Sequence, residues 1–290
     1  MASIVVTGAS SGIGAAAAVE LSRRGHRVLA TGRSAQRLAA VHAAMCAVVP
    51  PATDVPAPVT ADLSSLAQVR ELAARVLELS PDLSVLVNNA GVQPHRRQET
   101  PDGFELTFAV NHLAPFLLTK LLTEALQRNG GRVIATTSST HTAGTLDFDD
   151  LQMTRDWSTR AAYGRSKLAN ILFTRELSAR TGLPASSFHP GAVRTDINRD
   201  SPFVRLVKPF ERLLLDSPER GADTLVWLAD GPVGAAPQAV YYANCRPAET
   251  TAAACDEAAA AKLWEVSDAL TSGEPHAGGR TTLGLPARGD

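Results

Sequence analysis

The sequence predicts an α/β fold, a doubly wound parallel sheet with helices on both faces. Three observations lead to this prediction. Short apolar runs rich in β-branched residues, such as residues 4–6 and 84–87, are typical of strands that are buried on both faces of a sheet. Stretches of helical length follow these runs, so strands and helices alternate along the chain. Glycines and polar residues stand directly after several strands, at the edge where such sheets bind ligands.

The composition fits one large domain. The chain has 290 residues, of which 44% are hydrophobic, and this is enough to build a sizeable core. We expect a single domain over residues 1–271 and a flexible tail at 272–290, where Gly, Pro and Arg predominate. The formal net charge of -1 leaves no basic excess for binding nucleic acid or an anionic membrane.

Cysteine usage and the start of the chain indicate the compartment. The three cysteines are widely spaced and odd in number, so they predict neither a disulfide framework nor a metal site. The chain enters its first strand at once, without a signal peptide, and no apolar run approaches the length of a membrane span. We therefore expect a cytoplasmic protein with no membrane anchor and no bound metal.

The first strand leads straight into a glycine-rich turn and then an Ala-rich helix. Gly8 lets the backbone leave the strand sharply, Gly12 lets it approach a pyrophosphate without a Cβ in the way, and Gly14 lets the helix pack close to the sheet. The free N–H groups and positive dipole end of that helix favour an anion. This context favours a dinucleotide site over a glycine turn without a ligand. The other residues of the turn that would face the ligand are Ser10, Ser11 and Ile13.

The end of the second strand, at residues 27–31, bears on the choice of cofactor. An acidic residue here would accept hydrogen bonds from the ribose hydroxyls of NAD. This chain has Arg33 instead, with Arg37 one helical turn further on, and two guanidinium groups suit a 2′-phosphate. An ordinary solvated arginine is the alternative, and the position favours NADP.

Later elements continue the alternation of strands and helices. Further strands are expected at residues 84–87, 131–136 and 186–189, with helices at 66–79, 104–128 and 162–181. Residues 142–160 interrupt this pattern with an acidic, Trp-containing segment.

Tyr163 and Lys167 lie four residues apart on a predicted helix, so both side chains are on one face. A phenol with a pKa near 10 is a poor acid–base group at neutral pH, and an adjacent ammonium is expected to lower that pKa. Ser138, at a strand end, is placed to orient and polarise a substrate carbonyl oxygen. The alternatives are a turn cap for Ser138 and a packing role for Tyr163. No G-x-S-x-G motif surrounds Ser138, so its neighbour His141 does not indicate a hydrolase.

In this order, these features resemble the short-chain dehydrogenase/reductase family. The motifs that carry the resemblance are Thr7-Gly8-x-x-x-Gly12-Ile13-Gly14, Asn88-Asn89-Ala90-Gly91, Ser138 and Tyr163-x-x-x-Lys167. The similarity covers roughly residues 3–235, and the combination is far more specific than any one motif. Residues 111–119, 166–173, 189–191 and 262–267 also resemble the retinol dehydrogenase-like branch of this family.

The resemblance implies a Rossmann-type fold and a role for each matching residue. Tyr163 would be the general acid in carbonyl reduction and the base in alcohol oxidation, and Ser138 would bind the substrate oxygen. Lys167 would lower the pKa of the tyrosine and hold the nicotinamide ribose. Asn111 would hold a water that links Lys167 to solvent.

Further positions would contact the cofactor, which the resemblance and the arginines together identify as NADP(H). Asp62 and Leu63 would border the adenine. Asn89, Ala90 and Gly91 would border the adenine ribose. The segment 190–195 would wrap the nicotinamide and its phosphate, with contacts from Pro190, Gly191, Val193 and Thr195.

Two further segments concern the substrate. Residues 142–160 are longer than the family minimum, and we expect them to form an extra loop near the substrate mouth. The apolar, proline-flanked segment 196–217 is either a mobile lid over the nicotinamide or a packed surface helix. A lid would imply a bulky, largely apolar carbonyl substrate. Membrane-bound members of the branch carry an apolar N-terminal anchor that we do not find here, which argues against retinoids.

The leading functional hypothesis is an NADP(H)-dependent carbonyl reductase or alcohol dehydrogenase. Its partner would be a small-molecule substrate, and a homo-oligomer is compatible with all of these features. A catalytically silent dinucleotide-binding sensor or scaffold is the alternative from another class. Sensing requires only the glycine loop, so the presence of Asn111, Ser138, Tyr163 and Lys167 together argues against it. An epimerase or dehydratase of the same broad fold is a third reading, which the Gly8-x-x-x-Gly12 spacing disfavours.

Overall fold

Eight strands form one sheet in the part of the chain that the structure describes, which is residues 1–193, 216–235 and 240–273 of a computed structural model. Their order is β3-β2-β1-β4-β5-β6-β7-β8, and each neighbouring pair is parallel except β7 and β8. The strands are β1 (Ser3–Val6), β2 (Arg27–Gly32), β3 (Val59–Thr60), β4 (Leu83–Asn88), β5 (Arg132–Thr136), β6 (Ala185–His189), β7 (Tyr241–Ala243) and β8 (Arg246–Pro247). The short strands β7 and β8 were not expected from the sequence.

Helices cover both faces of this sheet. They are α1 (Gly12–Arg23), α2 (Ala35–Val48), α3 (Leu66–Leu79), α4 (Leu106–Phe108), α5 (Ala114–Arg128), α6 (Thr159–Thr181), α7 (Pro218–Asp230), α8 (Pro232–Ala235) and α9 (Glu257–Ser272). A π-helical turn (Ala109–Leu113) joins α4 to α5, and short 3-10 helices occupy Ser139–Ala143 and Ala252–Cys255.

Two apolar clusters hold the layers together. Val5 of β1 packs into the cluster on one face with Leu118 of α5, and Ile4 packs into the cluster on the other face with Leu225 of α7. All four side chains are buried. Strand residues alternate between the two faces, so a strand must be apolar throughout when both faces are covered. The predicted doubly wound single domain is confirmed.

The strand order places the ligand-binding edge. β1 lies between β2 and β4, so the connections from β1 and from β4 leave the sheet in opposite directions. The loops after these strands therefore separate and leave a crevice at the carboxyl ends of the strands.

One apolar stretch contradicts the expectation that none reaches membrane-spanning length. The helical run Leu106–Arg128 has 23 residues and a mean hydropathy of 1.2 in its most apolar window, and by length and composition alone it qualifies. Among the described residues no second stretch does. Within that window 78% of the residues are buried inside the protein, as in a core helix that packs between a sheet and other helices.

Several helix boundaries follow local capping. Helix α7 has Ser217 as its N-cap, whose side chain accepts from the N–H of Arg220, and Pro218 at its first helical position. Helix α6 begins three residues earlier than expected, capped by Ser158. Most of the candidate lid, namely residues 196–215, lies outside the described residues. So does most of the predicted tail, while Ser272 still belongs to α9.

Helix α9 joins two of the stretches that resemble the retinol dehydrogenase-like branch. His112 of the π turn is buried, and its Nε2 lies 2.8 Å from the hydroxyl of Ser267. Trp264 stacks on Phe173 and meets Phe116 edge-on. Burial lowers the pKa of His112 to about 4, so this histidine is neutral at physiological pH and serves as a hydrogen-bonding residue of the core.

Candidate active site

A cleft of about 1020 Å³ opens at the carboxyl ends of the strands. It brings together nearly all of the residues singled out from the sequence. Those that line it are Gly8, Ser10, Ser11, Gly12, Ile13, Arg33, Asp62, Leu63, Asn89, Ala90, Gly91, Ser138, Tyr163, Lys167, Pro190, Gly191 and Val193. Gly14 and Asn111 are not part of its wall, and Thr195 lies outside the described residues.

The glycine turn at one end of the cleft has the backbone shape that an anion site requires. Gly8 and Gly12 have φ angles of 67° and 57°, a region that side-chain-bearing residues rarely adopt. A Cβ on Gly8 would lie 2.7 Å from the Cα of Ala90, so the loops after β1 and β4 touch only because this residue is glycine. A Cβ on Gly14 would lie 2.5 Å from Asn89 Nδ2. Helix α1 can therefore pack this closely against Asn89 only because residue 14 is glycine.

Helix α1 presents free N–H groups to this end of the cleft. Helices α2, α3, α6, α7 and α9 each have a Ser or Asp side chain that caps their first turn. The N-cap of α1, Ser11, makes no such side-chain hydrogen bond. The first N–H groups of α1 are therefore available to a ligand, and the positive end of the helix dipole suits a phosphate. This cradle fits the pyrophosphate of a nicotinamide dinucleotide.

Side chains from three strand ends fix the floor of the cleft. The hydroxyl of Thr7 donates to Val87 O at 3.1 Å and accepts from the N–H groups of Asn89 and Ala90. Asn89 Nδ2 donates to Thr7 O at 2.9 Å, and Asn89 Oδ1 accepts from Thr136 Oγ1 at 3.2 Å. The side chain of Asn89, at the end of β4, thus forms hydrogen bonds to the ends of β1 and β5. Its motif did not indicate this role.

Basic residues line the far end of the cleft. Arg33 is exposed, and it forms no ion pair with another described residue. Arg37 also lines the cleft. Asp62 is the one carboxylate among the predicted cofactor residues. It accepts a hydrogen bond from the N–H of Ser64 at 2.9 Å and forms no ion pair with Arg33. The guanidinium of Arg33 is therefore available to a phosphate ligand.

Tyr163 and Lys167 face the cleft from one side of α6. Lys167 is only 2% exposed, its Nζ donates to the carbonyl oxygen of Thr136 at 3.0 Å, and it lies 5.2 Å from the centre of the Tyr163 ring. Burial raises the pKa of Tyr163 to about 12 and lowers the pKa of Lys167 to about 8. The expected lowering of the Tyr163 pKa is wrong for the protein alone, because burial penalises the charged phenolate.

Ser138 has the capping role considered for it, and it also lines the cleft. It is the N-cap of the 3-10 helix that follows β5, and its Oγ accepts from the N–H of Thr140 at 3.2 Å. Capping occupies one lone pair of the hydroxyl. No hydrogen bond from this hydroxyl to another described residue is present, so its hydrogen is available to a ligand, and the substrate-binding role stays a prediction.

Asn111 lies behind the cleft with its side chain fully bonded. Its Oδ1 accepts from the N–H of Val92 at 2.7 Å, and its Nδ2 donates to Val92 O and to the hydroxyl of Ser166, both at 3.0 Å. A Cβ on Gly91 would lie 3.4 Å from Asn111 Oδ1 and 3.6 Å from Lys167 Nζ. The missing side chain of Gly91 therefore leaves a small space between these two polar groups. The water relay through Asn111 stays a prediction.

The segment at residues 142–160 does not reach the cleft wall, contrary to expectation. Instead it is fastened to the helices that carry the site. Arg165 donates to the carbonyl oxygens of Asp150 and Leu151, and the Trp157 indole donates to Glu105, whose carboxylate also caps α4. The segment thus braces the start of α4 against α6, and its distance from the cleft follows from these anchors.

Sequence reasoning missed several contributors to the site. The carbonyl of Thr136 is a backbone group and leaves no residue-type signal. Ser166, which bonds Asn111, lies inside a stretch that resembled the branch but had no role of its own. Thr7 precedes the glycines, and its importance follows only from the pairing of β1 with β4.

Comparisons with known proteins agree with this geometry. Residues 2–202 match the family model described as short chain dehydrogenase. The chain is 43% identical over 271 residues to DnrU of Streptomyces sp. (strain C5), whose name assigns it the role of a daunorubicin C-13 ketoreductase; 92% of this chain and 91% of DnrU are covered. It is 37% identical over 286 residues to retinol dehydrogenase 14 of Homo sapiens, covering 92% of this chain and 85% of the relative.

A solved structure supports the same conclusion. The crystal structure of an uncharacterized protein from Mycobacterium Paratuberculosis superimposes with a TM-score of 0.75 at 32% identity, and 95% of each chain is covered. The resemblance noted in the sequence is confirmed. The chain belongs to the short-chain dehydrogenase/reductase family, oxidoreductases that use nicotinamide cofactors, and is similar to its retinol dehydrogenase-like members.

Proposed function

We propose that this protein is an NADP(H)-dependent carbonyl reductase or alcohol dehydrogenase that acts on a bulky, mostly apolar ketone, aldehyde or alcohol. One observation carries the proposal. The Tyr163–Lys167 pair and the Ser138 hydroxyl open into the same cleft as the uncapped N-terminus of α1. A site for the reacting atoms is therefore continuous with a site for a dinucleotide phosphate.

The residues divide the work of reduction between them. The nicotinamide supplies or receives the hydride when it is bound. Tyr163 donates its phenolic proton to the carbonyl oxygen, and Ser138 donates a hydrogen bond to the same oxygen and orients it. Lys167, whose Nζ lies 5.2 Å from the centre of the Tyr163 ring, stabilises the phenolate that remains, and its ammonium would hold the nicotinamide ribose.

The pKa of Tyr163 sets the protonation state of this residue in the protein alone. Burial raises it to about 12, so the phenol keeps its proton at neutral pH. Reduction requires a protonated donor, whereas oxidation requires the phenolate as a base. The protein alone thus holds Tyr163 in the protonated form that reduction requires.

Preference for NADPH rests on Arg33. Its exposed guanidinium lines the cleft at the end of β2, where an acidic residue would select NAD. Arg33→Ala should raise the KM for NADPH about tenfold or more and change the KM for NADH less than about twofold. Arg128→Ala, which removes an exposed arginine from the last turn of α5, is the matched control. Equal effects of Arg33→Ala on both cofactors would refute the NADPH assignment.

The substrate class is inferred from the relatives. DnrU is named for reduction of a polycyclic ketone and retinol dehydrogenase 14 for an apolar alcohol. NADPH oxidation should be followed with daunorubicin, all-trans-retinal, 2-acetonaphthone and, as a small polar control, dihydroxyacetone. We expect turnover with at least one of the three bulky compounds and none with dihydroxyacetone. NADPH binding without turnover of any compound would favour the sensor hypothesis instead.

A further inference from the structure

Two histidine rings hold the peptide unit between Ser138 and Ser139. His141 Nδ1 lies 2.7 Å from the carbonyl oxygen of Ser138. The N–H of Ser139 donates to His189 Nδ1 at 3.3 Å. This oxygen and this N–H belong to one peptide unit, so each polar group of that unit is hydrogen-bonded to an imidazole nitrogen. We refer to His141, His189 and this peptide unit as the histidine clamp.

The clamp requires opposite tautomers of the two rings. A carbonyl oxygen only accepts, so Nδ1 of His141 carries the hydrogen. Its Nε2 is then an acceptor, and the hydroxyl of Thr250 lies 2.8 Å away to donate to it. His189 Nδ1 accepts from a backbone N–H, so the hydrogen of that neutral ring is on Nε2.

The surroundings hold the rings in place. His141 is only 2% exposed and packs edge-on against Tyr241, with ring centres 5.0 Å apart. Burial lowers the pKa of His189. His189 therefore keeps Nδ1 unprotonated at neutral pH and free to accept.

We propose that His141 and His189 are positioning residues that fix the Ser138 hydroxyl toward the substrate oxygen. The proposal rests on the proposed function, in which that hydroxyl donates to the carbonyl. Rotation of the clamped peptide unit would redirect the Cα–Cβ bond of Ser138. Two hydrogen bonds anchored on different elements, the 3-10 helix and the end of β6, oppose that rotation.

Heteronuclear NMR of histidine-labelled protein tests the clamp without any substrate. We expect His141 as the Nδ1–H tautomer and His189 as the Nε2–H tautomer, with each ring assigned by its loss in His141→Gln or His189→Asn. His26 is an internal reference for the second pattern, because its Nδ1 accepts the N–H of Ala2 at 3.2 Å. The same tautomer at His141 and His189 would overturn the clamp, whatever the enzyme reduces.

Kinetics then separate positioning from a general structural effect. His189→Leu should lower kcat about tenfold and leave the NADPH dissociation constant within about twofold, and His189→Asn, which keeps an acceptor, should restore most of kcat. In a Ser138→Ala background, His189→Leu should cost less than about twofold, because the group it positions is gone. Equal losses in both backgrounds would overturn the proposal.

His26→Leu is the matched control for these kinetics, because it also removes a histidine that accepts a backbone N–H, far from the cleft. It should leave kcat unchanged. If His189→Leu does not fold, the tautomer pattern of the unsubstituted protein decides.

Discussion

The two ends of the cleft are built in different ways. At the phosphate end, the backbone itself makes the site, since Gly8 touches Ala90 and α1 begins without a side-chain cap. At the reacting end, side chains make the site, and Lys167 is held by the carbonyl oxygen of Thr136 on a neighbouring strand. The phosphate end requires a residue without a Cβ at position 8, and the reacting end requires polar side-chain atoms in fixed positions.

This difference determines what each kind of substitution should do. Added bulk should damage the phosphate end and reduce cofactor affinity. Removal of a polar atom should damage the reacting end and reduce turnover while cofactor still binds.

Tyr163→Phe should have the largest effect. The ring stays, but the only proton proposed for transfer to the carbonyl oxygen is lost, so kcat should fall by at least about a hundredfold. NADPH affinity, measured by fluorescence titration, should stay within about threefold. Tyr242→Phe, which removes a phenol from a core strand away from the cleft, is the matched control. Near-normal turnover in Tyr163→Phe would show that another group donates the proton.

Gly8→Ala, in contrast to Tyr163→Phe, should reduce NADPH affinity. Its Cβ would lie 2.7 Å from the Cα of Ala90, and its φ of 67° is unfavourable for alanine. NADPH affinity should fall about tenfold or more. Gly25→Ala is the matched control, because Gly25 has a φ of 88° but nothing within 4 Å of an added Cβ. It should cost about 1 kcal/mol of stability from backbone strain alone and leave NADPH affinity unchanged. Equal losses of affinity in both variants would contradict a site built by close backbone approach.

Lys167→Met should stabilise the fold at neutral pH. The folded pKa of Lys167, about 8, lies below its ordinary value of 10.5, so burying the charged form destabilises the protein. That cost is present in full below pH 8, fades as the folded protein loses the proton between pH 8 and 10.5, and is absent above this range. The shift corresponds to roughly 3 kcal/mol, and loss of the hydrogen bond to Thr136 offsets about 1 kcal/mol or more.

Urea unfolding should therefore show Lys167→Met about 1–2 kcal/mol more stable than the wild type at pH 7. The gain should disappear above about pH 10.5, because both proteins are then neutral at this position. Lys120→Met removes an exposed lysine paired with Asp268 and should show no such pH-dependent gain. A loss of stability at pH 7, or a gain that persists at high pH, would show that burial of the charged Lys167 does not destabilise the fold.

Residue types and their spacings could be predicted from the sequence at both ends of the cleft, whereas the effect of burial at the reacting end could not. Glycines at a strand–helix junction are visible in a sequence, because a steric requirement selects one residue type at a fixed spacing. Tyr163 and Lys167 were also visible, because four residues on a helix define a common face. The direction of the Tyr163 pKa shift was not, since it depends on how much water the fold excludes.

Long-range partners were the least predictable part. His141, His189 and Thr250 stand far apart in sequence and meet only because β6, β7 and the 3-10 helix after β5 come together. The segment at residues 142–160 was recognised as an insertion, but its hydrogen bonds direct it to the outer sides of α4 and α6 rather than to the cleft. Backbone acceptors such as Thr136 O have no sequence signature.

The most direct test of the account follows the hydride itself. The protein should be mixed with NADPH that carries deuterium at both C4 positions of the nicotinamide and with the ketone that turns over fastest in the panel. We predict one deuterium on the carbinol carbon of the alcohol for each NADPH consumed, and none when Tyr163→Phe is used under the same conditions. Binding of NADPH without transfer of deuterium to any ketone would contradict the account and leave a dinucleotide-binding protein without catalysis.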